Sequence, residues 1–229
     1  MGPEFYLPLY SQSAKMASPL KSSLLCLPFV ALEGLGGIIS GFLINRTGRY
    51  STLLWAGSVL MTLGFGLLID LKSSASLAKI MIYQIIGALG SGILIQPPLI
   101  AIQANVPQQE TATATSTLTF MRGLAQAVSI VIGGVVFQSS IIKQSELVEA
   151  GIPHDVAVIF SGQDAQVNVD QLRTIRDAAA QRTVQAAYAW SLRNAWLLYA
   201  LVAALTIVAS YFVGTHALFY RICSNADWS

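Results

Sequence analysis

Charged residues are scarce in this 229-residue chain: 10% of the residues are Asp, Glu, Lys or Arg, whereas 54% are hydrophobic. A soluble globular domain carries about 25% charged residues, so the composition excludes an ordinary soluble fold. The net charge is +2, without any block of Lys or Arg, and nucleic-acid binding is not expected. An integral membrane protein is the class that remains.

Cysteine and histidine are equally few. Cys26 and Cys223 are too few and too apolar in setting to indicate a disulfide framework or a metal site. His154 lies in a polar segment and His216 follows the last hydrophobic run, so neither has a partner for a catalytic dyad. We expect no enzymatic activity, no metal and no cofactor.

Long hydrophobic runs dominate the chain. A membrane-spanning helix needs about 20 mainly apolar residues to cross about 30 Å of hydrocarbon, because its backbone must be hydrogen-bonded internally. Five runs meet this requirement, namely residues 24–44, 52–69, 80–102, 112–138 and 195–213. Residues 5–12 resemble the end of a span that begins outside the chain. The prediction is an all-α integral membrane protein of about five transmembrane helices.

The runs and the polar stretches between them divide the chain. Residues 1–23 are expected to be the remnant of a preceding span and loop, 24–138 to hold four transmembrane helices, and 195–213 to form the last one. Residues 139–194 contain nearly half of the charged side chains and are expected in water. Their second half is either a solvent-exposed helix leading into the last span or an interfacial helix on the bilayer. Residues 214–229 form a tail.

Glu33 and Arg122 lie nearest the centres of spans. A charge at this depth costs at least about 2.5 kcal/mol on insertion scales, so each group should face protein or a water-filled cavity. They could pair across a cavity, respond to protonation, or each satisfy a helix contact. Arginine remains charged at any accessible pH, whereas a glutamate can carry a proton. Both are candidates for the cavity or for energy coupling.

Polar and helix-breaking residues interrupt the spans at a few positions. Pro97 and Pro98 remove two backbone donors, which predicts either a gating hinge or a plain kink fixed by neighbouring helices. The neutral amides Gln84, Gln96 and Gln126 could bind a polar ligand or join helices by hydrogen bonds. We include all five as candidate site residues.

Glycines are concentrated in the first, third and fourth runs. The spacing of Gly37 and Gly41 is typical of close helix packing in lipid, and a substrate-facing role is the alternative. A nucleotide-binding loop is excluded, because its glycines would have to follow a strand.

Four segments resemble one family. The run Gly41-Phe-Leu-Ile-Asn-Arg-Thr-Gly-Arg-Tyr50 resembles the cytoplasmic loop between two helices in the second half of major facilitator transporters. Ser18-Pro-Leu-Lys-Ser22 with Leu27-Pro28 is similar to a pattern in fungal fourteen-span drug:proton antiporters, including aflatoxin and HC-toxin efflux pumps. Phe120-Met-Arg-Gly-Leu-Ala125 resembles their penultimate span, and Ser191-Leu-Arg-Asn-Ala-Trp196 resembles the start of their last.

This resemblance implies a partial major facilitator fold, its second helical bundle. It implies export of small apolar or amphipathic compounds in exchange for protons, in the plasma membrane, with residues 139–194 outside the cell. Gly41, Arg46, Gly48 and Arg49 match the loop that governs the conformational switch in that family, and the arginines would lie on the cytoplasmic side.

Three interpretations of the function remain at this stage. A transporter needs two bundles around a central site, so the chain is expected to act as a truncated efflux transporter that requires the missing N-terminal half. The alternative is a nonfunctional or regulatory membrane fragment that associates with full-length transporters. A membrane-anchored protein whose polar segment is the active part is the weaker third interpretation.

Overall fold

The structure is a computed structural model that describes residues 2–71, 75–149 and 178–226, with side chains for 4–71, 75–144 and 179–212. Regular structure in these residues is helical throughout. The helices are α1 (Gly2–Ser13), α2 (Pro19–Thr47), α3 (Tyr50–Leu68), α4 (Leu77–Ile93), α5 (Gln96–Asn105), α6 (Thr111–Glu149) and α7 (Ala178–Ala226). A short 3₁₀ helix, Gln108–Glu110, precedes α6.

Five segments of the described chain are long and apolar enough to cross a membrane. They are α2, α3, α4 together with α5, α6 together with the 3₁₀ turn, and α7. The predicted all-α membrane fold with about five transmembrane helices is therefore confirmed.

Local sequence explains where α2 begins and ends. Ser18 has an extended backbone, its hydroxyl accepts from the Lys21 amide at 3.3 Å, and Pro19 starts the helix, a favourable residue at this position. At the other end Gly48 adopts φ +64° and donates its amide to the Ile44 carbonyl at 2.8 Å. Glycine is favoured here because the left-handed conformation is strained for other residues. A tight antiparallel turn into α3 follows.

Glycines bring α4 against both of its neighbours. On the α3 side, a Cβ added to Gly90 would lie 2.2 Å from the Met61 amide nitrogen. On the α2 side, a Cβ added to Gly36 would lie 3.1 Å from the Gly92 Cα. Such backbone contacts are possible only between small residues. The third span is therefore the centre of the packing between α2 and α3.

A second layer of packing joins α7 to α1, α3 and α6. Its core is aromatic: the Tyr10 and Trp196 rings meet at 5.3 Å, and those of Phe137 and Tyr188 at 5.9 Å. These four side chains are almost completely buried. The two layers form one bundle whose outer faces are apolar.

Two helices extend farthest beyond the hydrophobic runs that they contain. Helix α6 continues beyond residue 138 to Glu149, and residues 178–194 are continuous with the last span in α7. No proline or glycine interrupts residues 139–149, and the next such residues in the sequence are Gly151 and Pro153. The central part of the predicted polar loop, residues 150–177, and the end of the tail, residues 227–229, lie outside the described residues.

Candidate functional site: the break in the third span

The third membrane span consists of two helices rather than one. Between α4 and α5 the Leu94 amide donates to Ser91 and the Ile95 amide to Gly92, both at 3.1 Å, a tighter 3₁₀-type pattern. Pro97 and Pro98 have no N–H to donate to the carbonyls four residues earlier. The break therefore leaves the carbonyls of Ile93 and Leu94 without a regular helical donor, at membrane depth.

Ser40 of α2 supplies one of the missing donors. Its hydroxyl donates to the Ile93 carbonyl at 2.8 Å, and the residue is completely buried. The Ser40 hydroxyl thus replaces the N–H that Pro97 lacks. Sequence analysis did not select this residue. The available signal was its position among the α2 glycines, on the face that packs against the span containing the prolines.

Arg122 of α6 reaches the same break. Its guanidinium Nη2 donates to the Ile95 carbonyl at 2.7 Å. Ile95 lies between the C-terminal end of α4 and the first residue of α5. Among the described residues Arg122 makes no ion pair with Glu33, so the pairing considered from the sequence is not found. The arginine instead satisfies a backbone contact.

Glu33 lies at the closest approach of α2 and α4. A Cβ added to Gly92 would lie 2.3 Å from the Glu33 carbonyl oxygen, which fixes the backbone of Glu33 against α4. The side chain is 7% exposed, and its Oε1 accepts no hydrogen bond from any described residue. The hydroxyl of Ser91 on α4 donates to the Ala88 carbonyl at 3.1 Å. A carboxyl group that is buried with few hydrogen-bond donors is stable mainly in its neutral, protonated form.

The three candidate glutamines have different surroundings. Gln84 is 1% exposed, and neither atom of its amide has a hydrogen-bond partner in the described part of the chain. Gln96 is half-buried at the break, where a Cβ added to Gly41 would lie 3.7 Å from the Gln96 Cγ. Gln126 is exposed on α6. The break therefore brings Gln96 and Gly41 together, and Gln126 lies one helical turn beyond Arg122.

Replacing Gln84 with leucine is expected to stabilise the protein. A buried amide without partners lowers stability by about 1–3 kcal/mol, and leucine removes that penalty at similar volume. The measurement is the free energy of unfolding in mixed detergent micelles. Gln126→Leu is the control, because that amide is exposed and its removal should change the value by less than about 0.5 kcal/mol. An equal or lower stability of Gln84→Leu would show that the amide is hydrogen-bonded.

The residues of the predicted switch loop lie at the turn between α2 and α3. Arg46 is in the last turn of α2, Gly48 caps that helix, and Arg49 immediately precedes α3. Both arginines are exposed, and neither forms an ion pair with a described residue. Their guanidinium groups are thus available to a partner. Gly41, six residues before the end of α2, connects this loop to the break through its contact with Gln96.

Two tyrosines that sequence analysis did not select fix the middle of α6. The Tyr6 hydroxyl donates to the Ile130 carbonyl at 2.8 Å and the Tyr199 hydroxyl to the Ser129 carbonyl at 2.9 Å. Gly133 provides the space, because a Cβ there would lie 2.1 Å from the Tyr199 hydroxyl oxygen. The C-terminal half of α6 is therefore held by α1 and α7, whereas much of its N-terminal half is exposed.

Comparison with known proteins assigns the bundle to a family. The sequence profile of the Major Facilitator Superfamily matches residues 1–130, which include all of the described residues at the break. The chain belongs to the Major Facilitator Superfamily. This confirms the resemblance found in the sequence, and it makes the protein a multi-pass membrane protein of a transporter family.

Named fungal relatives match almost the whole chain. The MFS-type transporter ppz2 of Metarhizium majus is 36% identical over 93% of the chain and 37% of its own length. The efflux pump dotC of Dothistroma septosporum is 34% identical over 87% of the chain and 34% of its own length. An MFS-type transporter of Aspergillus terreus is 34% identical over 94% of the chain and 39% of its own length. No solved structure matches.

The chain thus spans little more than a third of the length of these relatives. A chain of this length can form only part of the fold of these relatives, which confirms the prediction of a partial major facilitator fold. The remaining length of the relatives has no counterpart in these 229 residues.

Proposed function

We propose that the chain forms the second helical bundle of a proton-coupled efflux transporter that exports small apolar or amphipathic compounds across the plasma membrane. The polar segment predicted between the fourth and the last spans, residues 139–194, would face the outside of the cell. The N-terminal half would be supplied by additional chain or by a partner, because alternating access needs two bundles that move against each other.

One observation carries this proposal: relatives that are named as transporters or efflux pumps match 87–94% of the chain at 34–36% identity. The similarity extends over the packed core, the broken third span and the last helix. It therefore favours a working part of a transporter over a fragment with an unrelated role.

Glu33 is proposed as the residue that binds the coupling proton. Its carboxyl group is buried where α2 and α4 pack most closely, and its Oε1 has no hydrogen-bond donor among the described residues. Such a group gains from binding a proton and loses it readily when a conformational change admits water. Arg122 cannot perform this role because it does not release its proton.

The exposed face of α6 is proposed to line the substrate cavity. Phe120, Met121 and Leu124 are 68%, 57% and 51% exposed, and Gln126 adds one exposed amide on the same helix. A mainly apolar surface with few polar groups is typical of sites for small apolar or amphipathic ligands. The half-buried Gln96 would offer its amide to polar groups of the substrate, whereas Gln84, which is 1% exposed, would become available only after a conformational change.

The remaining candidate residues are proposed to serve the conformational change. The turn containing Arg46, Gly48 and Arg49 would latch the helix ends on the cytoplasmic side through its unpaired guanidinium groups. Pro97 and Pro98 would act as the hinge of the third span.

A chimaera tests the proposed function. In it, this chain replaces the matching segment of the Metarhizium majus relative, and the protein is produced in yeast cells that lack their own efflux pumps. We expect the chimaera to reach the plasma membrane and to lower the retention of at least one of a panel of amphipathic fluorescent dyes. The intact relative and the relative without that segment are the two controls. Dye retention equal to that of the deleted form, despite correct localisation and export by the intact relative, would reject the proposal.

A further inference from the structure

The third span is held together by side chains from two other helices. The Ser40 hydroxyl on α2 binds the Ile93 carbonyl, and the Arg122 guanidinium on α6 binds the Ile95 carbonyl, at 2.8 and 2.7 Å. These carbonyls lie on the two sides of Leu94, between α4 and α5. Each bond therefore holds a different part of the break.

We infer that Ser40 and Arg122 are positioning residues for α5, with Ser40 as the permanent anchor and Arg122 as the bond that opens when α5 moves. This inference rests on the proposed transport function, in which α5 moves as a half-helix during alternating access. It goes beyond that function because it assigns a separate role to each bond.

Burial determines the role of Ser40. The residue has no exposed surface, so water cannot take the place of its hydroxyl. Without it, the Ile93 carbonyl would lack a helical donor, because Pro97 has no N–H. The neighbouring Gly36 and Gly37 keep α2 against the end of α4. The Ser40 bond is thus expected to persist in every conformation of the break.

Exposure determines the role of Arg122. Its hydrogen bond lies on the exposed face of α6 that is proposed to line the substrate cavity, where water in that cavity can compete for both partners. Together with the bond between Gln103 and Thr115, at 3.1 Å, it joins α5 to the N-terminal half of α6. That half is otherwise largely exposed, whereas the C-terminal half is held by Tyr6 and Tyr199. Opening of the Arg122 bond together with the Gln103–Thr115 bond therefore releases α5 from the face proposed to contact the substrate.

Hydrogen exchange of the α5 amides tests the anchor. The full chain is reconstituted in lipid nanodiscs, and exchange is measured for residues 96–105 by mass spectrometry. Ser40→Ala leaves the Ile93 carbonyl unpaired, so the α5 amides should exchange about tenfold faster. Ser22→Ala is the matched control, because Ser22 is also completely buried on α2 and donates to a carbonyl of another helix, that of Pro8, at 3.0 Å. It should leave exchange in α5 unchanged.

A double substitution separates the anchor from a general packing effect. Pro97→Ala restores an N–H that can donate to Ile93 within the helix, so Ser40 should become dispensable. We expect Ser40→Ala to change α5 exchange by less than about twofold in the Pro97→Ala background. An equal acceleration in both backgrounds, or no acceleration by Ser40→Ala in the native background, would overturn the role of Ser40.

The releasable bond is tested in the same assay. Arg122→Gln should accelerate exchange in α5 about tenfold, and Arg122→Lys should recover part of the protection because it keeps the charge and a donor. Exchange that is unchanged in Arg122→Gln would overturn the role of Arg122. These measurements use the chain alone, so they are independent of export. A chimaera that fails to export while the exchange results hold would reject the proposed function only.

Discussion

Replacing Glu33 with glutamine is expected to abolish export driven by a pH gradient in the chimaera with the Metarhizium majus relative. The side chain of glutamine has nearly the same size and shape as that of glutamate and can form hydrogen bonds. Its amide, however, cannot bind and release a proton at any accessible pH. The side chain is buried between α2 and α4, so its neutral form fits without added desolvation. The measurement is dye export from vesicles with an imposed pH gradient, compared with dye movement down its own concentration gradient.

The two modes of transport should respond differently to Glu33→Gln. Movement of dye down its own gradient should continue, since it needs the conformational change but no net proton transfer. Glu110→Gln is the matched control, because Glu110 is exposed in the 3₁₀ turn before α6 and its loss should leave both modes intact. Undiminished proton-driven export by Glu33→Gln would remove Glu33 from the coupling mechanism.

The largest effect on folding is expected from Gly90→Ala. The added Cβ would lie 2.2 Å from the Met61 amide nitrogen and 2.6 Å from its Cα. Both atoms belong to the backbone of α3, so the contact cannot be relieved by a side-chain rotation. Helices α3 and α4 must separate, and we expect a loss of about 3 kcal/mol in the free energy of unfolding in mixed micelles.

Gly66→Ala is the matched control for Gly90→Ala. Gly66 lies on α3, and a Cβ there would meet nothing within 4 Å. Alanine is a better helix former than glycine by about 1 kcal/mol, so this variant should be as stable as the native protein or more so. Equal losses in the two variants would show that helix α3 and helix α4 do not pack at Gly90.

Much of the fold could be predicted because span length and hydropathy follow directly from the sequence. Each predicted run lies within or overlaps one of the five membrane-crossing helices. The helix ends were less predictable: α6 continues at least to Glu149, because a helix can extend from an apolar run into polar sequence. Hydropathy identifies the apolar part of a helix and not its full length.

The break in the third span was predictable in position but not in its contacts. Pro97 and Pro98 showed from the sequence which backbone bonds would be lost. The donor that replaces one of them, Ser40, is 53 residues away from Ile93 in the chain, and no local pattern indicates such a pairing. Arg122 was selected for its charge, yet its partner is a backbone carbonyl, a group that every residue carries. Tertiary packing alone decides these pairs.

The membrane-spanning bundle is tested most directly by determining on which side of the bilayer each helix connection lies. Single cysteines at Arg49, Ala75 and Gln108, in a variant with Cys26 and Cys223 replaced, are labelled in sealed vesicles with a thiol reagent that cannot cross lipid. Alternating membrane crossings by α2, α3 and the α4–α5 pair predict that positions 49 and 108 are labelled from one side and position 75 only from the other. Labelling of all three positions from the same side of intact vesicles would contradict the membrane-spanning bundle.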